Sequence, residues 1–375
     1  MSMEVEVKEG NLELVISQYG IDPVDSQISP LGNGLINSTY LVKHPDKTFV
    51  LQKINQTVFK QAKQVISNAE HIDGFLVAAK ARNQYPLSSI GQLATINEKK
   101  CIEIGDELWR ALYFIPDCYT IEAVENTAQA EQAATAFAQF TSALSGFSAD
   151  KLSVIIPNFH SLQFRLQQLK DAIKRDPVGR LKSCQSQVDY CLEQKDFIAE
   201  VAAMVEKLPL HVTHNDTKIN NLLFCNKTKQ PIAVIDLDTC MPGHLMHDFG
   251  DMVRTCCSSL PEDGKNIEDM TVRFDIFDAL LTAYIKGFGE NITSLEKRSL
   301  ITGAQLLPIM IGVRFLTDYI DGDNYFNTQY DAHNLVRAKN QFKLYSLLHG
   351  QVDQLNQCLN FTPNVQVAEL DLSEA

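Results

Sequence analysis

His214-Asn215-Asp216-Thr217-Lys218-Ile219-Asn220-Asn221 is the most informative stretch of the chain. It fits H-x-D-x-K-x-x-N, an instance of the phosphoryl-transfer spacing H-x-D-x-x-x-x-N. Moving a phosphoryl group needs a carboxylate to orient and deprotonate the attacking hydroxyl, a cation near the γ-phosphate and an oxygen ligand for Mg²⁺. Asp216, Lys218 and Asn221 offer these in that order. The alternative is a polar loop in which Asp216 only caps a turn.

The residues downstream extend the pattern. Leu222 to Phe224 reads as a strand, Cys225 to Gln230 as a turn, and Ile232 to Ile235 as a returning antiparallel strand that ends at Asp236. A hairpin of this kind brings Asn221 and Asp236 to its open end, where an amide oxygen and a carboxylate can share Mg²⁺. Asp238 is a candidate for a second metal or water ligand. Both aspartates are alternatively strand-end residues bonded to a turn. A literal D-F-G at Asp248-Phe249-Gly250 lies 27 residues beyond Asn221, too far for this hairpin, so the metal role goes to Asp236. Asp248 and Asp251 instead open a helix, with Arg254 placed to pair with Asp251 or to brace the loop. Pro242 and Gly243 put His244 and His247 in a loop, which argues against a zinc site.

Upstream, Leu35 to Lys43 and Thr48 to Ile54 are rich in β-branched residues around the turn His44-Pro45-Asp46-Lys47 and predict a hairpin. Gly32 and Gly34, with Asn37 where a third glycine could stand, precede its first strand. A strand-flanked glycine loop suits nucleotide phosphates, whereas a Walker loop is absent. Lys53, at the end of the returning strand, is the candidate for the α and β phosphates, unless it is a solvated edge lysine. Glu70, on a helix predicted over residues 59–79, is its candidate acidic partner. Backbone groups from Phe114 to Asp117 are expected to meet adenine, unless the aromatics there are simply core.

At 375 residues, with 45% hydrophobic and 21% charged content, the chain is large enough for two lobes with a cleft between them. Residues 1–115 predict a small antiparallel sheet lobe with one helix, and residues 116–375 a larger, mainly helical lobe, an α+β organisation. A formal charge of −13 argues against nucleic-acid binding. Nine cysteines without a C-x-x-C pair fit a reducing cytoplasm. No export signal or membrane span is expected, since Met1 to Gly10 is acidic and the apolar run Leu306 to Val313 contains Pro308 and stops at Arg314. Oligomeric state is not readable.

The chain resembles the aminoglycoside phosphotransferase and choline kinase superfamily, and within it the bacterial N-acetylhexosamine 1-kinases. The resemblance is carried by GNGLINSTYLV (32–42), HNDTKINNLLF (214–224), IDLDTCMPG (235–243), HDFGDMVR (247–254) and GVRFLTDYIDGD (312–323). It implies a protein-kinase-like fold, Asp216 as catalytic base, Asn221 and Asp236 as Mg²⁺ ligands, and transfer of the ATP γ-phosphate to the anomeric hydroxyl of GlcNAc or GalNAc. Arg314, Asp318 and Tyr325 are the groups expected around the sugar, although Arg314 and Asp318, four apart on a helix, could equally form an ion pair. The chain departs from the family at Leu35, where many members carry histidine, and at Ser67 and Asn68, where a glutamate is expected. An amino alcohol or aminoglycoside acceptor, for which Asp321 and Asp323 could serve, and a nucleotide-binding pseudokinase remain alternatives.

Overall fold

The structure, a computed structural model, describes residues 9–32 and 36–361. In chain order it begins with α1 (Glu9–Ser17), β1 (Gln27–Pro30), β2 (Ser38–His44), β3 (Lys47–Lys53), α2 (Ala62–Ala81), β4 (Gln92–Leu93), β5 (Ile102–Ile104), β6 (Glu107–Tyr113) and β7 (Cys118–Tyr119). Then come α3 (Thr127–Ala143), α4 (Leu162–Arg175), α5 (Gln185–Glu193), α6 (Lys195–Val205), β8 (His211–Thr213), β9 (Leu222–Cys225), β10 (Pro231–Val234) and β11 (Met241–Gly243). The chain closes with α7 (Leu245–Cys256), α8 (Phe274–Phe288), α9 (Ser294–Asp321), α10 (His333–Gly350) and α11 (Val352–Phe361).

Two compact units result: Met1–Tyr119 with Asp150–Ile156 and Leu223–Met241, and the remaining segments. This differs from a single cut after residue 115. The reason is pairing: β7 joins β9 in an antiparallel ladder, Cys118 opposite Cys225, and Ser88 bridges Ala233, so the hairpin β9–β10 belongs with the first unit.

The first unit is built on an antiparallel sheet of order β1-β2-β3-β6-β4, with β5 also pairing β6. The sequence-predicted hairpin is β2–β3, running from Ser38 opposite Lys53 to His44 opposite Lys47. Its turn is tied by the Asp46 N–H, which donates to His44 Nδ1 at 3.1 Å. Strand alternation sends Val42, Phe49 and Leu51 to one face, where they pack with Leu93, Trp109 and Ala111 against Val15, Ile16 and Tyr19. Those last three belong to or directly follow α1, a helix that the acidic N-terminal sequence did not suggest. The other face receives α2: Gln92 Nε2 donates to the Ile66 carbonyl at 2.8 Å.

The second unit is helical around α9, 28 residues long and entered through a Thr293–Glu296 capping box. This helix is long and apolar enough to cross a membrane, yet 89% of its apolar window is buried inside the protein. Its approach to α7 depends on two glycines. A Cβ on Gly303 would lie 2.1 Å from the Met246 carbonyl oxygen, and one on Gly250 would lie 2.2 Å from the Gly303 carbonyl oxygen. After this helix, α10 and α11 part at Gly350. Likewise α5 and α6 are separated only by Gln194.

Candidate active site

In the second unit, β8 delivers the chain into the loop His214 to Lys218, which closes in a 3₁₀ turn at Ile219–Asn221. Asp216 is its half-buried carboxylate. Lys218 Nζ lies 2.8 Å from Asp216 Oδ1, and Asn221 Nδ2 donates to Asp216 Oδ2 at 3.0 Å and to the Asp216 carbonyl at 2.8 Å. Burial pushes the Asp216 carboxyl up, but the Lys218 charge, with His214 and Arg254 beyond it, outweighs that and holds it below the usual carboxylate range. The charge of Asp216 in turn raises Lys218 against its own desolvation. The three residues drawn from the motif therefore meet around one ionised carboxylate. With its nitrogen turned to Asp216, Asn221 has its amide oxygen left as a hard donor.

The loop is clamped from α7. Asp248 Oδ2 accepts the His214 N–H at 2.9 Å and Asp248 Oδ1 accepts the Asn215 N–H at 2.7 Å, while Thr217 Oγ1 donates to the Asp248 carbonyl at 2.5 Å. Asn215 has φ 65°, a left-handed conformation costly for a side-chain residue, and it stands immediately before Asp216. Burial pushes the Asp248 carboxyl up to about 6. The D-F-G aspartate thus shapes the loop through its backbone. Arg254 does not reach the loop backbone; it pairs with Asp251 at 2.8 Å and with Glu262. The buried His214 ring packs edge-on between Phe137 and Phe140 of α3, at 5.5 and 5.9 Å. Gly243 is required beside this loop, since a Cβ there would sit 2.2 Å from Thr213 Oγ1. His247 is in α7 and not in a loop as expected, because the helix begins at Leu245.

Of the three residues expected around an acceptor, two come together. Arg314 Nη2 donates to Tyr325 Oη at 3.3 Å, and its guanidinium lies 5.3–5.5 Å from the rings of Phe159, Tyr325 and Phe326. No carboxylate pairs with Arg314 among the described residues, although the charge of Asp216 reaches it. Asp318 is a correction. Its oxygens accept the backbone N–H groups of Asn324, Tyr325 and Phe326 at 2.8–2.9 Å and the Asn334 amide at 3.0 Å, so it shapes the turn that presents Tyr325 and has no oxygen to spare for an acceptor. Burial pushes its carboxyl up. The i,i+4 ion pair with Arg314 does not form. Phe159 and Phe326, found only in the structure, have no sequence signal beyond their aromatic character.

In the first unit, Asp236 follows β10 with φ 59° and ψ 59°, again left-handed. Asp238 is a second correction: it is 2% exposed and both its oxygens are taken, Oδ1 by Arg110 Nη2 and Oδ2 by Asn37 Nδ2 at 2.7 Å. It is therefore not a metal ligand. Asn37 is likewise committed, its Oδ1 accepting the Asn55 N–H at 2.9 Å, and is not spare for a nucleotide. Gly32 has φ 73° with open space around it, whereas Gly34 lies outside the described residues. Lys53 pairs at 3.1 Å with Glu107 on β6, not with Glu70, which is exposed on α2. Burial pushes the Glu107 carboxyl up, but bonds from Lys53, Trp109 Nε1 and Asn11 bring it below the ordinary value. Strand parity foretells this partner, since Lys53 shares the face of Phe49 and Leu51. Phe114 is half-buried directly after β6.

The sequence profile described as the phosphotransferase enzyme family, APH, matches residues 27–289. The chain belongs to this family. The phosphotransferase has the protein-kinase-like fold shared by several solved relatives. An aminoglycoside phosphotransferase from Alicyclobacillus acidocaldarius subsp. acidocaldarius DSM 446 superposes with a TM-score of 0.59 at 16% identity, covering 92% of this chain and 96% of the other. A spectinomycin phosphotransferase in complex with ADP and spectinomycin gives 0.54 at 15% identity, covering 92% and 98%. A choline kinase from Cryptosporidium parvum Iowa II gives 0.55 at 12% identity, covering 90% and 94%. The protein is accordingly a phosphotransferase of this family.

Proposed function

We propose that this phosphotransferase is an ATP- and Mg²⁺-dependent N-acetylhexosamine 1-kinase acting in the cytoplasm. Asp216, kept ionised by Lys218, orients the anomeric hydroxyl and takes its proton as the γ-phosphoryl group is transferred. The donor set fits Mg²⁺: the Asn221 amide oxygen and the Asp236 carboxylate are hard oxygen ligands, and the ion supplies charge neutralisation at the phosphates when bound. ATP as donor is in keeping with the ADP held by the spectinomycin phosphotransferase.

One observation favours a neutral sugar over a cationic alcohol. Arg314 stands among three aromatic rings with no carboxylate partner among the described residues, in electrostatic reach of Asp216. An ammonium acceptor brought there meets like charge, whereas sugar hydroxyls accept from a guanidinium and sugar faces stack on aromatic rings. The acids available for a cation are already matched. Asp321 pairs with Arg175, Asp323 with Arg180, and Asp318 with backbone N–H groups.

The test is an acceptor screen with labelled ATP and Mg²⁺ over GlcNAc, GalNAc, choline, aminopropanol, homoserine and aminoglycosides. The expected product is an anomeric phosphate, recognised by phosphorus coupling to the C1 proton. Turnover of a cationic alcohol and of neither sugar overturns the proposal.

A further inference from the structure

In Lys47–Lys53, KTFVLQK, alternate residues face opposite sides of the sheet. Lys53 shares a side with Phe49 and Leu51, which pack toward α1. It sits 5.7 Å from the centre of the Trp109 ring, its cross-strand partner, and pairs with Glu107, which also accepts from Trp109 Nε1. The lysine is thus built into the α1 side of the sheet.

The opposite side carries a different cation. Gln52 faces Arg110 across the ladder, and Gln52 Oε1 accepts Arg110 Nε at 3.0 Å and Nη2 at 2.7 Å. Arg110 Nη2 also reaches Asp238, two residues from Asp236. Asn68 of α2, on this same side, donates to the Cys240 carbonyl at 3.1 Å. The segment bearing Asp236 is therefore fastened to the Gln52–Arg110 side. Nε and Nη2 of Arg110 are engaged, and Nη1 has no partner among the described residues.

We propose that Arg110, and not Lys53, is the cation of the sheet that meets the nucleotide's phosphates, its guanidinium oriented by Gln52 and Asp238 so that Nη1 donates to a phosphate oxygen. A guanidinium held at two corners keeps its third nitrogen in a fixed direction, which a lysine ammonium on a flexible stem does not. The inference rests on the reading of Asp236 as the ligand of the nucleotide-bound metal.

The experiment measures equilibrium binding of Mg·ATP and of adenosine to the full-length protein, with urea unfolding of each variant as the check on folding. Arg110→Met is expected to weaken ATP by about 10- to 100-fold, the worth of one hydrogen bond to a charged group, and to leave adenosine unchanged. Lys53→Met is expected to leave both affinities unchanged. An ATP-specific loss in Lys53→Met, or an equal loss of ATP and adenosine in Arg110→Met, overturns the assignment. Should Arg110→Met fail to fold, Arg110→Lys keeps the charge without the fork, and an unaltered ATP affinity there also overturns it. A wild-type protein that binds no ATP sinks the underlying kinase reading instead, a result separable from any difference between variants.

Discussion

Lys218 Nζ stands 2.8 Å from Asp216 Oδ1, and this pair sets the charge state of the carboxylate proposed as the base. Asp216 must be ionised to take a proton, so activity is lost as pH falls through its pKa. In the wild type that pKa is depressed. Lys218→Met removes the largest opposition to burial, leaving only His214 and Arg254, and the acid limb of kcat/KM is expected to move to higher pH. A pH–rate profile of the two proteins decides it, and coincident acid limbs would remove Lys218 from this role.

Asp216→Asn keeps the size of the side chain and its bond to Asn221 while removing the base. General-base contributions are of order 10²- to 10⁴-fold, so kcat is expected to fall by that range with nucleotide affinity retained. Steady-state kinetics with parallel ATP titration give both quantities. A near-normal kcat would falsify the assignment.

Asp248→Ala removes the carboxylate that accepts the buried N–H groups of His214 and Asn215, at about 1–3 kcal/mol each. The expected readouts are a lower urea midpoint and a lower kcat, because Asn215 loses the bond that holds its left-handed backbone. Asp248 also carries a pH signature. Its pKa rises from 3.8 to about 6, so the native state retains a proton that the unfolded chain releases. The stability this group contributes is complete below the unfolded value and is lost as pH rises through about 6. Asp248→Asn is expected to flatten the stability curve across that window, and an unchanged slope between the two proteins counts against it.

Gly303→Ala tests the helix contact beneath the loop. The added methyl falls 2.1 Å from the Met246 carbonyl oxygen, on backbone that cannot swing aside. Overpacking of this kind costs about 1–3 kcal/mol. Equilibrium unfolding of this variant beside an exposed alanine control, Gly74→Ala, where nothing lies within 4 Å, should show the loss only at 303.

The sequence by itself determined the two hairpins and the grouping of Asp216, Lys218 and Asn221, because each depends on short spacings: two-residue alternation, a turn signal, eight residues of loop. It also kept the aspartate of D-F-G out of the short hairpin by distance along the chain, and that aspartate is found bonded to the loop backbone. Only the tertiary structure decided which charges are spoken for. Asp238 and Asp318, both plausible ligands by position, are consumed by Arg110 and Asn37 in one case and by three backbone N–H groups in the other. Lys53 found Glu107 and not Glu70 because a strand's pleat fixes the side on which a residue emerges. The physical reason is common to all three. A carboxylate's role depends on the donors that reach it, and those donors come from residues 54, 128 and 201 positions away as readily as from its neighbours.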